Sequence, residues 1–237
     1  HFTSTEEYRN RVSQLGEQPD RVFCVGAIGI ENIFNEKLLS KTELEKSLNF
    51  KLDKPYAVVT FHPVTLENYS SAEQLQVLLN ACKKHKDMKF IFTKANADTD
   101  GRIINKLLDE YVQEQDNAIA ATSLGIVRYL SAIKYSSMVI GNSSSGLIEV
   151  PSFGVPTIDI GDRQKGRLRA DSVINCEPVQ EDIEKAISLA LTDQFKERAR
   201  KTINPYGDGN TSDKIVEKIR DFLINRKIDL KKRFYDC

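Results

Sequence analysis

The sequence predicts an α/β domain built on a doubly wound parallel sheet, and three observations predict it. Short, nearly continuous apolar runs recur at 56–61, 88–93, 118–121, 138–141, 157–160 and 172–175, as strands do when helices cover both faces of a sheet. Between them lie longer, charged stretches whose apolar residues fall at helical spacing, as Leu75, Leu78 and Leu79 do. The two kinds of segment alternate from residue 55 onward, which is the repeated βα unit of a parallel sheet.

Taken in order, the first 50 residues fit the repeat poorly. They read as a helix over 5–15, a strand over 22–25, the segment Gly26-Ala27-Ile28-Gly29 and a charged helix over 42–48, the composition of a junction. The strand at 56–61 opens the regular part, and helices are expected at 72–85, 102–114, 124–135, 144–153 and 181–191, each following a strand. After Gly207-Asp208-Gly209 an amphipathic helix is expected over 212–226, and Lys231-Lys232-Arg233 reads as a solvated tail.

Composition excludes several classes of function. The 237 residues carry 34 basic and 34 acidic side chains, so the chain lacks the positive field that attracts nucleic acid or anionic lipid. No apolar run approaches the roughly 20 residues needed to cross a bilayer. The four cysteines, Cys24, Cys82, Cys176 and Cys237, show no zinc or redox spacing, which predicts reduced thiols, no metal and a cytoplasmic setting. Asn68, Asn142 and Asn210 match the glycosylation acceptor pattern, which carries no weight without secretion. The first residues include neither an initiator Met nor a signal peptide, so the chain reads as a piece of something longer.

The segment carrying most chemistry is Gly141-Asn142-Ser143-Ser144-Ser145-Gly146-Leu147-Ile148-Glu149, a strand running into hydroxyl residues and then a helix. Backbone N–H groups and the dipole of a helix start favour an anion, and serine hydroxyls add donors. One serine could simply cap the helix; three with Gly146 point to phosphate. Glu149 falls where a carboxylate can accept from a ribose diol, and its apolar neighbours predict that it has a partner. His62 follows the strand at 56–61, at the carboxyl edge where ligands of open α/β sheets collect. Gly161-Asp162-Arg163-Gln164-Lys165-Gly166-Arg167-Leu168-Arg169 occupies the same edge, and Arg163, ahead of Arg167 and Arg169, is the cation expected to reach the ligand. There is no Walker A sequence and no complete G-x-G-x-x-G.

The run from Gly141 to Glu149, continued by Pro151-Ser152-Phe153-Gly154-Val155-Pro156-Thr157 and Gly161 to Arg167, resembles the UDP-N-acetylglucosamine 2-epimerases, above all their hydrolysing branch. Phe61-His62-Pro63-Val64-Thr65 is similar to that branch's histidine loop, Gly26-Ala27-Ile28-Gly29-Ile30-Glu31-Asn32-Ile33 to its interdomain segment and Pro205-Tyr206-Gly207-Asp208-Gly209-Asn210 to its C-terminal motif. The resemblance implies the second Rossmann-like domain of a GT-B-type two-domain enzyme. Residues 1–25 would end a truncated first domain, 26–205 would form the UDP-binding domain, and 206–237 would be a helix and tail returning toward the first. It also implies that Ser143 and Ser144 hold the distal phosphate, with Ser145 and Gly146 completing the turn. Glu149 would bind the ribose, His62 stabilise the leaving diphosphate, Arg163 face the sugar, and the Ser123-Leu124 turn meet the uracil. The implied reaction is elimination of UDP from a UDP-2-acetamido sugar followed by hydration to an N-acetylmannosamine-type sugar, in a homo-oligomer and without a cofactor. The acid and base would come from the first domain, so this stretch alone is expected to be inactive. The alternatives are a non-hydrolysing epimerase, a GT-B glycosyltransferase, or a stand-alone nucleotide-binding module.

Overall fold

The computed structural model describes residues 1–64, 70–95, 99–225 and 231–236. Thr65, Asn68, Arg226 and Cys237, all read in the sequence, lie outside them. The chain divides into two compact units, one formed by residues 1–36 and 204–237 and the other by residues 37–203. Among the described residues no helix is long and apolar enough to cross a membrane.

The smaller unit begins with β1 (Phe2–Thr3), α1 (Glu6–Gln14) and β2 (Phe23–Cys24), followed by α2 (Glu31–Asn35). Strands β1 and β2 pair in parallel. Thr5 caps α1, its hydroxyl accepting from the Tyr8 N–H at 3.2 Å. The chain returns to this unit as α10 (Thr211–Asn225). Gly26 and Gly207 both have positive φ, and the Ala27 N–H donates to the Tyr206 carbonyl at 2.7 Å. A side chain on either glycine would crowd the other segment. Glu31 accepts from the backbone and hydroxyl of Ser212. Two of the recognised segments, 26–33 and 205–210, therefore pack on each other.

The larger unit holds α3 (Lys41–Leu48), β3 (Tyr56–Thr60), α4 (Ser71–Lys84), β4 (Lys89–Thr93), α5 (Thr99–Glu114), β5 (Ala118–Ala121), α6 (Gly125–Tyr135), β6 (Met138–Gly141), α7 (Ser145–Ile148), β7 (Thr157–Ile160), β8 (Val173–Cys176), α8 (Gln180–Leu191) and α9 (Asp193–Arg200). The six strands form one parallel sheet in the order β5-β4-β3-β6-β7-β8. This is the doubly wound α/β fold the sequence predicts, with all six expected strands present. One core cluster joins Val59, Phe61, Phe90, Phe92, Ile140 and Ile158 of the sheet region to Leu75 and Leu78 of α4, Ile104 and Leu108 of α5 and Ile183 and Ile187 of α8. Burying each such side chain contributes about 1.5–3 kcal/mol. Ser70 and Glu73 start α4 with a reciprocal capping box.

In the smaller unit β1 and α2 were not expected, and in the larger unit two elements differ from expectation. The helix predicted over 144–153 is instead a single α-turn, Ser145–Ile148, followed by a 3₁₀ turn over Val150–Phe153. Pro151 supplies no N–H, which ends the α-helical ladder there. Helix α9 was not anticipated: in Asp193–Arg200 only Phe195 and Ala199 are buried, too sparse an apolar stripe to stand out.

Candidate functional site

The strand order reverses between β3 and β6, and at such a reversal the loops leaving the two carboxyl ends part and open a crevice. Here those loops carry His62 and the Asn142–Ser145 turn. Gly141 ends β6 opposite Thr60 with φ near 140°. A Cβ there would lie 1.9 Å from the Thr60 carbonyl oxygen, so only glycine allows β6 to run this close to β3.

Beyond that pairing, the side chain of Asn142 takes over. Its Oδ1 accepts from the His62 N–H at 2.8 Å and its Nδ2 donates to the His62 carbonyl at 2.9 Å. The Asn142 carbonyl in turn accepts from Arg163 Nη1 at 3.0 Å and Gln164 Nε2 at 2.7 Å. Three loops, those after β3, β6 and β7, thus meet on one residue that is 1% exposed. The exit of the histidine loop is fixed as well, since the Val64 N–H donates to Ser71 Oγ at 2.9 Å.

The serine turn differs in detail from a helix-start anion site. With only one α-turn behind it, little macrodipole accumulates. Some of its own donors are used within the turn: the Ser145 N–H points to Ser143 Oγ at 3.4 Å and the Gly146 N–H to the Ser143 carbonyl at 3.2 Å. Ser143 and Ser144 are half-buried. Ser145 accepts from the Tyr129 hydroxyl at 2.9 Å and lies beside the Glu149 carboxyl, opposing the upward shift that burial causes there. Gly146 lies against β7: a Cβ would meet the Thr157 methyl at 2.8 Å, while Thr157 Oγ1 donates to the Gly146 carbonyl at 2.9 Å. The size of Gly146 thus answers a packing demand.

Glu149 joins the two short turns, with Ser145 beside its carboxyl. Burial pushes that carboxyl above the ordinary range, and Ser145 opposes the shift. One carboxyl oxygen, Oε2, is buried without a hydrogen-bond partner, an acceptor open to a donor from outside. Burial likewise raises the Tyr129 phenol.

Arg163 reaches the crevice through Asn142, and the loop that carries it is pinned from below. Asp159, 1% exposed at the end of β7, accepts on Oδ2 from Arg169 Nη2 at 2.9 Å and Nε at 3.1 Å. Asn175 donates to the carbonyls of Asp159 and Gly161 at 2.9 and 3.2 Å. Burial holds the Asp159 carboxyl above its usual value, with Arg169 pulling it back. The Ser123-Leu124 turn follows β5, an edge strand of the sheet. Arg128 already donates to both of its carbonyls, at 3.1 and 2.9 Å, and Ser123 Oγ accepts from the Gly125 N–H. The sequence reading missed Asn142, Gln164, Tyr129 and the Asp159–Arg169 pair. Only the position of Asn142 inside the serine motif gave a signal.

The family description UDP-N-acetylglucosamine 2-epimerase matches residues 1–220. The chain belongs to the UDP-N-acetylglucosamine 2-epimerase family. Among curated family relatives, it is 43% identical over 237 residues to the polysialic acid biosynthesis protein P7 of Escherichia coli, covering 100% of this chain and 60% of that protein. It is 42% identical over 198 residues to the GDP/UDP-N,N'-diacetylbacillosamine 2-epimerase (hydrolyzing) of Campylobacter jejuni, covering 83% and 51%. The chain therefore spans between half and two thirds of the length of these relatives. Among solved structures, it matches the UDP-GlcNAc 2-epimerase from Neisseria meningitidis bound to UDP-GlcNAc with a TM-score of 0.78, covering 93% of this chain and 61% of that one at 19% identity. That match speaks for the fold, which the epimerase family shares.

Proposed function

We propose that this chain is the UDP-binding portion of a hydrolysing 2-epimerase acting on a UDP-2-acetamido sugar, with UDP seated at the carboxyl ends of β3 and β6. The observation that carries this reading is Glu149. A carboxylate whose Oε2 is buried and unpartnered, beside a serine turn at the reversal of the strand order, suits a ligand that brings both a diol and an anion.

Ser143 and Ser144 contribute hydroxyl donors to the distal phosphate, and Glu149, oriented through Ser145, accepts from the ribose. His62 and Arg163 face the diphosphate and the sugar side, where positive charge stabilises what develops on the leaving group. Ser123 and Leu124 contact the base. In the reaction a base takes the C2 proton, the C1–O bond breaks with its electron pair leaving on UDP, and a 2-acetamidoglucal forms. Water then adds across that double bond, oxygen to C1 and hydrogen to C2, giving the epimerised free sugar. The residues of this chain supply binding and leaving-group stabilisation; the proton-transfer groups belong to the remainder of the longer protein. The free thiols of Cys24, Cys82 and Cys176 support a cytoplasmic setting.

Titration calorimetry of UDP against the chain tests the reading. The Ser143→Ala/Ser144→Ala double variant should bind UDP more weakly by roughly 1–3 kcal/mol, the scale of lost charge-assisted hydrogen bonds. Unchanged affinity would reduce the serines to structural roles and remove the site.

A further inference from the structure

We infer that Asn142 is a positioning residue that sets His62 and Arg163 around the diphosphate, an inference that rests on the UDP site proposed above. The ladder between β3 and β6 ends at Thr60 and Gly141, and the Asn142 N–H still donates to the Thr60 carbonyl at 3.2 Å. One residue further the two main chains must part, since one becomes the histidine loop and the other the serine turn. The amide side chain of Asn142 has the donor and acceptor of a peptide group, and it pairs with both main-chain groups of His62, its oxygen standing in for the Asn142 carbonyl and its NH2 for the Ser144 N–H that a continued parallel ladder would use. The pairing is thereby extended by a side chain while the main chain is released to turn.

The same residue spends its own carbonyl on Arg163 and Gln164. One arm of the guanidinium is thus anchored and the rest of the fork has a fixed direction, which lowers the ordering cost when an anion binds. Gln164 is 1% exposed, and its Nε2 shares the acceptor, so the carbonyl is held from two sides. Neither His62 nor Arg163 is placed by its own loop alone. Asparagine meets the demand because no other side chain short enough to fit carries both an amide donor and an acceptor.

The test compares the chain with Asn142→Ala and Asn142→Gln, the second keeping the amide but one methylene too long. Amide hydrogen exchange at His62, read by NMR without nucleotide, reports the clamp itself. Exchange should accelerate at least about tenfold in both variants, as the N–H loses its acceptor. UDP affinity should fall about tenfold while UMP, which lacks the distal phosphate, changes less than about threefold. Retained protection of the His62 amide, UDP binding within about threefold of the parent, or equal loss of UDP and UMP would each overturn the inference. So would two variants that fail to fold, which would assign Asn142 to the core. A parent chain that does not bind UDP would instead sink the functional reading, and the exchange measurement would then decide alone whether Asn142 positions His62.

Discussion

Arg169→Ala would leave the Asp159 carboxylate buried without its cation. The two groups meet at 2.9 Å, with the carboxylate side chain 1% exposed and the guanidinium side chain 30% exposed. At an effective dielectric of about 20 their gross attraction is about 6 kcal/mol. Removing one partner of a buried pair costs about 3–5 kcal/mol, and because Arg169 still reaches water the low end, about 3 kcal/mol, is expected. The loss should depend on pH in a defined direction. Burial already raises the Asp159 carboxyl and Arg169 opposes that, so deleting the arginine raises it further. A carboxyl raised in the folded state contributes stability that is full below its unfolded value, about 3.9, and is lost as pH rises through the folded value. Urea unfolding followed by far-UV circular dichroism should therefore show a loss that is smallest in acid and grows as pH rises above the unfolded value. Adding Asp159→Asn should remove that pH dependence and recover part of the stability. A loss below about 1 kcal/mol, or one that does not vary with pH, would refute the argument that this carboxylate depends on Arg169.

Gly146→Ala should destabilise the chain by about 1–3 kcal/mol through its collision with the Thr157 methyl. Thr157→Ser, which deletes that methyl and keeps the hydroxyl bonded to the Gly146 carbonyl, should rescue the double variant in thermal melts, and additive losses would contradict the account. Glu149→Gln should weaken UDP binding about tenfold by calorimetry. Because burial raises the Glu149 carboxyl, its ionisation lowers stability as pH rises, so the variant should gain in urea midpoint over the parent at alkaline pH and least in acid. A constant difference would mean that Glu149 is not held in a desolvating site.

The sheet was legible because strands buried on both faces must be apolar nearly throughout, and Ala118–Ala121, Met138–Gly141 and Thr157–Ile160 are found at the expected bounds. What escaped reading depended on partners far along the chain. Nothing near residue 142 announces a pairing with residue 62, and nothing in α6 marks Tyr129 as the donor to Ser145. The loop after β7 makes the same point. Of its four cations the sequence favours Arg163, and the structure gives Arg163 to the Asn142 carbonyl, Arg169 to the buried Asp159 and Lys165 to the exposed Asp162. Composition alone cannot divide like charges among such different acceptors.

The smaller unit is assembled from both ends of the chain, with residues 37–203 inserted between its halves. Pairing the Ala27 N–H with the Tyr206 carbonyl and Glu31 with Ser212 in an unfolded chain closes a loop of this length, at an entropic cost of about 4–5 kcal/mol. The strand pairs of the larger unit join segments much nearer in sequence, so the smaller unit is the part of the chain whose contacts carry the heavier closure cost.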